Sequence, residues 1–209
     1  MTARRPSSDA VKRVVDLSVA TMGLVLTAPV QLVVAGLVAR TLGRPVFFVQ
    51  PRPGKDGVVF NLAKFRTMLP VDEHRGLLTD EDRMTRFGAL LRATSLDELP
   101  TLWNVLRGDM SLVGPRPLLV RYLDRYSPRQ ARRHEVRPGV TGLAQVNGRN
   151  AISWEEKLEL DVRYVETWSL LGDLRIIAAT ASRVIRRDGV TAEGSVTTAE
   201  FVGARRSAT

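Results

Sequence analysis

The longest pattern along the chain is a nearly uninterrupted run of apolar residues over 14–39. Apart from small Ser and Thr, the main polar residues within it are Asp16 and Gln31. A straight helix over this run would be about 39 Å long, which is enough to cross the ~30 Å hydrocarbon layer of a membrane. The pattern therefore predicts a helix embedded in a membrane, with Lys12 and Asp16 forming a local ion pair at its start.

Pro29 divides this run into two arms of similar length. A proline inside a helix lacks an N–H and clashes with the preceding turn, here at Val25, which costs about 3 kcal/mol in a soluble helix. Basic residues flank both ends of the run: Arg4, Arg5, Lys12 and Arg13 before it and Arg40, Arg44 and Arg52 after it. The positive-inside tendency would keep both flanks in the cytoplasm. We therefore predict a re-entrant helical hairpin over 12–40, bent at Ala28 and Pro29. A tilted span kinked at the proline is the alternative, whereas a signal peptide is disfavoured because no small-residue cleavage pattern follows.

Shorter patterns after the apolar run predict one compact domain. Two strand-prone runs, 46–50 and 58–62, flank a segment rich in Pro and Gly, which indicates a hairpin or a loop. Capping residues and apolar spacing predict three helices over about 79–92, 153–168 and 173–187. The last of them ends in basic residues, which suits an amphipathic helix at a membrane interface or an ordinary helix whose dipole they complement.

The predicted fold class is mainly α with short β elements (α+β). From 189 onward Gly, Ser, Thr and Ala dominate without apolar periodicity, which predicts a disordered tail. The chain thus divides into a basic N-terminal arm (1–11), the re-entrant membrane helix (12–40), a compact domain on the cytosolic face with interfacial helices (41–188) and the tail (189–209).

Composition limits the chemistry and the partners. The chain has no Cys and two isolated histidines, His74 and His134, so disulfides and thiolate metal sites are excluded and a His-based zinc site is disfavoured. Its 31 basic residues exceed its 22 acidic ones, and the net charge of +9 favours anionic partners such as lipid head groups, nucleotides or nucleic acid. We expect no nucleic acid partner, because the sequence has no helix-turn-helix, aromatic RNA-binding motif or zinc pattern.

The densest candidate chemistry is the adjacent pair Asp97 and Glu98. Ser95 could begin a helix there, with Glu98 completing a capping box, but the ring of Pro100 would then clash with the carbonyl of Leu96. A helix that begins at Pro100 instead leaves both carboxylates on the segment leading into it, where N-terminal amides attract phosphate. Such carboxylates can hold a divalent metal against phosphates gripped by arginine forks. From these residues alone the two interpretations are evenly balanced.

Several motifs around this pair occur together in one known family. They are Arg52-x-Gly54-x-x-Gly57-x-x-Phe60, Lys64-Phe65-Arg66-Thr67-Met68, Leu96-Asp97-Glu98-Leu99-Pro100, Gly114-Pro115-Arg116-Pro117 and the segment from Arg137-Pro138-Gly139 to Gly148-Arg149-Asn150. With them the chain resembles the bacterial sugar transferases of the monotopic phosphoglycosyl transferase family over about 12–190. It departs from the commonest family pattern at Thr101 and Ala144, and neither departure touches the groups that the resemblance marks as catalytic.

The resemblance implies a membrane-bound enzyme at the cytosolic face of the cytoplasmic membrane, monotopic and carrying a Pro-containing re-entrant helix. It would transfer a sugar phosphate from a nucleotide diphosphate sugar, of the UDP type, to polyprenyl phosphate and release the nucleoside monophosphate. This reaction would initiate exopolysaccharide, capsule or glycoconjugate assembly. The implied partners are the nucleotide sugar, polyprenyl phosphate and membrane lipid, with room for a homodimer.

The resemblance also assigns roles to residues. Asp97 matches the nucleophile that carries the sugar phosphate covalently, and Glu98 matches its partner carboxylate, with Mg²⁺ as the cofactor that both would hold. The phosphate-binding positions are Lys64, Arg66, Arg92, Arg116 and Arg149, of which Lys64 is expected to pair with Asp97. The alternative from another class of function is a membrane-tethered basic module that binds anionic lipid or nucleic acid without catalysis.

Overall fold

The computed structural model describes residues 6–148, 152–186 and 200–203. Its helices and strands are α1 (Pro6–Thr41), β1 (Phe47–Pro53), β2 (Val59–Phe65), α2 (Asp80–Arg83), α3 (Arg86–Ala93), α4 (Thr101–Arg107), β3 (Ser111–Val113), α5 (Pro128–Ala131), β4 (Gly139–Thr141), α6 (Leu143–Val146), α7 (Trp154–Thr167) and α8 (Leu170–Arg186). Helices dominate and the strands are short, so the predicted α+β class is confirmed.

The strands form two separate pairs, β1 with β2 and β3 with β4. β1 and β2 form the predicted hairpin, antiparallel from Phe47 opposite Phe65 to Pro53 opposite Val59, which is longer than the sequence indicated. β3 and β4 are parallel. The two backbones approach so closely beside this pair that a Cβ on Gly139 would lie 2.1 Å from the backbone nitrogen of Gly114. Glycine at position 139 therefore allows the 114–117 loop to lie against β4.

α1 buries one stripe of residues along its length against the rest of the protein. Ala20, in its first half, belongs to the same buried cluster as Val105 of α4. Val38, in its second half, packs in another cluster with Phe65 of β2. The opposite face is apolar and exposed, with Leu32 75% exposed; its other large exposed residues include Met22, Val25, Leu26 and Val33. α1 is thus covered by protein on one side and presents an uncovered apolar surface on the other.

The predicted re-entrant helical hairpin over 12–40 is not confirmed, because α1 continues as one helix through Ala28 and Pro29. The buried positions before and after the proline lie in one stripe, so tertiary packing holds both halves against the same domain despite the missing backbone hydrogen bond. The helix also begins at Pro6, within the predicted basic arm. Among the described residues its Asp9–Thr41 stretch alone is long and apolar enough to cross a membrane, judged by length and composition.

Charged residues near the start of α1 bind the domain as well as one another. Lys12 donates from Nζ to Asp173 Oδ2 of α8 at 2.6 Å, while its distance to Asp16 is 4.0 Å. Asp16 accepts a hydrogen bond from the backbone nitrogen of Leu112 at 3.1 Å, and Arg13 donates to two carbonyl oxygens of α4. The predicted ion pair of Lys12 with Asp16 is present at 4.0 Å, and both side chains, which are 12% and 5% exposed, also bind partners that the domain supplies.

The remaining helices follow the predicted ones with shifted ends. The helix predicted over 79–92 is divided, since Met84 has an extended backbone and Thr85 caps α3 by accepting a hydrogen bond from Gly88. α7 is capped by Ser153 as predicted. α8 begins three residues earlier than expected, and an interfacial location for it is not confirmed.

The prediction of a disordered tail over 189–209 was wrong for 200–203. Phe201 is 2% exposed and lies among the rings of Tyr122, Tyr126 and Trp154. A single large apolar side chain that fits a shaped pocket produces no periodic pattern, so this docking could not be predicted from the sequence. The rest of the predicted tail and the N-terminal residues 1–5 lie outside the described residues.

Candidate active site

Asp97 and Glu98 lie on a single 3₁₀ turn, Leu96–Glu98, between α3 and α4. Ser95 before this turn has a left-handed backbone (φ 57°, ψ 17°), and its side chain makes no capping hydrogen bond. α4 begins directly after Pro100. The capping-box interpretation is therefore wrong, and the carboxylates lie on the segment leading into α4, as the proline predicted.

Glu98 is the carboxylate that binds the cations of the site. Its Oε1 accepts hydrogen bonds from Lys64 Nζ and from Arg116 Nη2, the latter at 2.7 Å. Lys64 comes from β2 and Arg116 from the 114–117 loop, so three distant parts of the chain meet at one oxygen atom. The expected pair of Lys64 with Asp97 was wrong, since the ammonium group bonds to Glu98 and senses Asp97 only through its charge.

The two carboxyl groups differ in their electrostatics. Burial raises the pKa of Asp97 to about 6, with a further contribution from the negative charge of Glu98. Burial would also raise the pKa of Glu98, but Arg116 and Lys64 outweigh it and hold that pKa well below its ordinary value. The site therefore contains one carboxyl group that titrates near neutral pH and one that stays ionised.

Of the other predicted phosphate-binding arginines, one lies near Asp97. Burial lowers the pKa of Arg92, the charge of Asp97 opposes that change, and Arg92 Nε donates to Thr67 Oγ1 at 3.1 Å. Arg66 is not brought to the carboxylates, because its guanidinium donates to two carbonyl oxygens just after α1. Arg149 lies outside the described residues.

A cleft beside Glu98 contains a further cation that the sequence analysis did not select. Arg52 lines it together with Lys64, Glu98, Thr101 and Arg116. Burial, followed by the charge of Arg116, lowers the pKa of Arg52 to about 10. Its Nε is buried without a hydrogen-bond partner among the described residues. The Arg-x-Gly motif of the sequence contained this residue, but nothing local indicated that the hairpin would bring it to Glu98.

A buried ion pair, Arg133 with Asp161, binds the backbone of Arg116. Arg133 donates from Nη2 to the carbonyl oxygen of Arg116 at 2.6 Å and to Asp161 Oδ2 at 2.7 Å. Both side chains of this pair are almost completely buried. One feature of the sequence indicated this ion pair. Asp161 lies on the helix face that carries Leu158 and Val162, and a charge on a buried face requires a partner of opposite charge.

These residues suit the binding of a phosphate group together with Mg²⁺. Four cations surround two carboxylates, which leaves positive charge for an anionic ligand; they are Arg52, Lys64, Arg92 and Arg116. Among the described residues no group of three or more His, Cys, Asp or Glu could enclose a metal. Mg²⁺ commonly takes one or two carboxylates plus phosphate oxygens, so Asp97 and Glu98 fit a metal that binds together with a phosphorylated substrate.

Comparison with known proteins identifies similar chains. Residues 7–187 match the model of a family described as bacterial sugar transferase. The chain is 52% identical over 193 residues to the uncharacterized sugar transferase EpsL of Bacillus subtilis (strain 168), covering 92% of this chain and 96% of that protein.

Two longer relatives have more specific names. The UDP-glucose:undecaprenyl-phosphate glucose-1-phosphate transferase of Caulobacter vibrioides is 40% identical over 195 residues, which cover 88% of this chain and 73% of the relative. The UDP-galactose-lipid carrier transferase of Erwinia amylovora is 40% identical over 201 residues, covering 88% of this chain but only 42% of that protein. The chain thus corresponds to part of some larger relatives and to nearly the whole of others.

Proposed function

This chain belongs to the bacterial sugar transferase family, and we propose that it transfers a sugar phosphate from a UDP-sugar to a polyprenyl phosphate at a membrane surface. The donor and acceptor classes follow from the name of the Caulobacter relative, and a role in exopolysaccharide production follows from the name of a Sinorhizobium relative. The observation that carries the proposal is the pairing of Asp97, whose pKa is about 6, with an ionised Glu98 that is fixed by two cations.

In the first step Asp97 acts as the nucleophile. One of its oxygen atoms forms a bond to the phosphorus that carries the sugar, and the bond from that phosphorus to the bridging oxygen breaks. The nucleoside monophosphate leaves with the electron pair, and the sugar phosphate stays on Asp97. A carboxylate with a raised pKa suits this step, because it is ionised at neutral pH yet more basic than an exposed aspartate.

In the second step an oxygen of the polyprenyl phosphate attacks the same phosphorus, and the carboxylate of Asp97 leaves. The product is the sugar joined to the lipid through a diphosphate. A phosphate monoester loses its second proton near pH 6, so the acceptor needs little help from a base at neutral pH. Glu98 is a poor base because its pKa is low, and we assign it to holding Lys64 and Arg116 in place.

Charge neutralisation is the main contribution of the surrounding residues. Arg52, Lys64 and Arg116 line the cleft on one side of the carboxylates, and Arg92 lies near Asp97. Asp97 and Glu98 would hold Mg²⁺, which when bound neutralises charge on the phosphate oxygens. Positioning and charge neutralisation are what phosphoryl transfer requires of a protein.

We further propose that the protein associates with one face of the membrane, with the exposed apolar face of α1 in lipid. Both halves of α1 pack against the same domain, through Ala20 and through Val38, which supports an arrangement in which the helix does not carry its N-terminus to the far side. Basic residues at both ends of the apolar run support the cytosolic face.

The decisive experiment follows the nucleotide and the protein in parallel. Purified protein is incubated with Mg²⁺, a panel of UDP-sugars and polyprenyl phosphate, and release of UMP is measured. With the donor alone, intact-protein mass spectrometry should show an increase of one sugar phosphate in the wild type and none in Asp97→Asn. Turnover without any adduct would favour direct transfer. Absence of UMP with every donor, while the protein still binds vesicles of anionic lipid, would favour a non-catalytic membrane module.

A further inference from the structure

The docked segment, residues 200–203, inserts Phe201 into a cage of three aromatic rings. The ring of Phe201 lies 5.6 Å from that of Tyr122, nearly perpendicular to it, and 5.6 Å from that of Tyr126, stacked at 25°. The third ring is Trp154 at 5.4 Å. Phe201 is 2% exposed, whereas its neighbour Val202 is 85% exposed, so the docking depends on one side chain.

Polar contacts fix the backbone of the docked segment at the cage. Glu200 forms ion pairs with Arg125 at 2.9 Å and with Arg121 at 3.2 Å. The backbone nitrogen of Phe201 donates to the hydroxyl oxygen of Tyr122 at 3.3 Å, and its carbonyl oxygen accepts from Arg125. Both the side chain and the backbone of Phe201 are therefore held by the segment 121–126.

The cage is connected to the active site by direct contacts. Tyr126 accepts a hydrogen bond from Arg133 at 3.3 Å, and the guanidinium of Arg133 lies over its ring, 5.6 Å from the centroid. Arg133 in turn donates to the carbonyl oxygen of Arg116, whose side chain donates to Glu98 at 2.7 Å. An uninterrupted series of packed and hydrogen-bonded groups thus leads from Phe201 to Glu98 on the 3₁₀ turn Leu96–Glu98.

The cage also joins two parts of the chain that meet at Arg133. Tyr122 and Tyr126 follow the Arg116 loop, whereas Trp154 is the first residue of α7, which supplies Asp161 to Arg133. Removing the Phe201 ring would leave a cavity between these parts, and packed side chains around a cavity lose their contacts on one side.

We propose that Phe201 is a positioning residue for the transfer reaction: its docking holds Arg133, and through it the Arg116 loop, in the arrangement that places the Arg116 guanidinium on Glu98. This proposal rests on the proposed function for its catalytic consequence. Phe201 itself touches none of the reacting groups, so its effect is transmitted by the loop. Small displacements of phosphate-binding groups are costly in phosphoryl transfer, because the reaction depends on their positions.

The test compares Phe201→Ala with Val202→Ala, a matched control in the same segment. At a temperature well below both melting points, Phe201→Ala should lower the kcat of UMP release about 10-fold, and Val202→Ala should remain within about twofold of wild type. Phe201→Leu, which refills much of the cage, should recover most of the loss.

Two further measurements separate positioning from general loss of stability. In an Arg116→Lys background, which already lacks the guanidinium fork, Phe201→Ala should cost much less than it does in the wild type. Hydrogen exchange should become faster over 111–122 in Phe201→Ala and stay unchanged in Val202→Ala, a readout that needs no substrate. The proposal is overturned if Phe201→Ala only lowers the melting temperature, if its loss of kcat is the same in both backgrounds, or if exchange over 111–122 does not change. An inactive wild type with altered exchange in Phe201→Ala would instead refute the proposed function while supporting the structural coupling.

Discussion

Asp97 and Glu98 are adjacent in the chain, yet their carboxyl groups have pKa values that move in opposite directions. Asp97 is buried and Glu98 is partly buried, which disfavours their charged forms, but only Glu98 accepts hydrogen bonds from Lys64 and Arg116. Two charges so close together cannot be stabilised equally by one set of cations. The arrangement leaves Asp97 as the more basic carboxylate, which is the property that a nucleophile needs.

The first prediction concerns the pH dependence of the donor reaction. Asp97 must be ionised to attack phosphorus, so kcat/KM for the UDP-sugar should fall about tenfold per pH unit below about 6 and level off above about 7. Initial rates of UMP release between pH 5 and pH 8 measure this profile. A flat profile down to pH 5 would contradict a nucleophile with this pKa.

The second prediction is that Asp97→Asn inactivates the enzyme and stabilises the fold. Because the folded-state pKa of about 6 exceeds the ordinary value of 3.8, the neutral form is favoured by folding; its contribution is complete below about pH 4 and is lost as the pH rises through about 6. At pH 7.5 the neutral amide should therefore raise stability by up to about 3 kcal/mol. Melting curves of both proteins at pH 7.5 and pH 4 provide the check, and a difference that does not shrink at pH 4 would count against burial as the cause.

The third prediction is that Glu98→Gln has the opposite effect on stability. It removes the acceptor of both Lys64, which is partly buried, and Arg116, whose side chain is 46% exposed, and leaves the two cations facing each other; this should destabilise the fold by about 1–2 kcal/mol and abolish turnover. Adding Lys64→Met to this variant should recover part of the stability without activity. Equal melting temperatures for Glu98→Gln and Asp97→Asn would show that the two carboxylates are not differentiated as described.

The fourth prediction tests the close approach of the two backbones at Gly139. A Cβ at this position would lie 2.1 Å from the nitrogen of Gly114 and 2.3 Å from the carbonyl oxygen of Thr141, so Gly139→Ala must displace the Arg116 loop. We expect loss of activity and a marked fall in melting temperature. Gly36→Ala is the control, because a Cβ there has no neighbour within 4 Å and alanine favours a helix.

The fifth prediction concerns membrane topology. Single cysteines at Ala10 and Thr41, two exposed positions near the ends of α1, should both react with an impermeant maleimide from the cytosolic side and neither from the other side. The chain has no cysteine of its own, so the labels are unambiguous. Reaction of position 10 from the periplasmic side in intact cells would show that the helix crosses the membrane.

Local signals predicted the parts of the structure that depend on neighbouring residues. Pro100 excluded the capping box at Ser95 and so located Asp97 correctly, and Ser153 marked the start of α7. The same kind of reasoning failed at Thr85, where a second capping residue divides a predicted helix. Each of these outcomes depends on a few residues next to one another.

Long-range partners could not be predicted in this way. The spacing of Lys12 and Asp16 predicted their ion pair, but not the shorter contact of Lys12 with Asp173. The resemblance implied that Lys64 pairs with Asp97, whereas the ammonium group bonds to Glu98. Phe201 lies in a segment without any pattern. Such contacts depend on how whole helices and strands pack. A single sequence does not indicate which distant charge or pocket will lie beside a given residue.

The contact between Lys12 and Asp173 has a consequence for how the protein is made. Its partners are 161 residues apart, so the ribosome produces the apolar helix long before the acid that pairs with its lysine. At about 5–20 residues per second this interval lasts roughly 10–30 s. During that time Lys12 lacks the acid of α8, whereas the partners of Arg13 and Asp16, in α4 and at Leu112, are synthesised earlier. α1 can therefore pack on β2 and α4 first, and its contact with α8 can form only after synthesis has reached that helix.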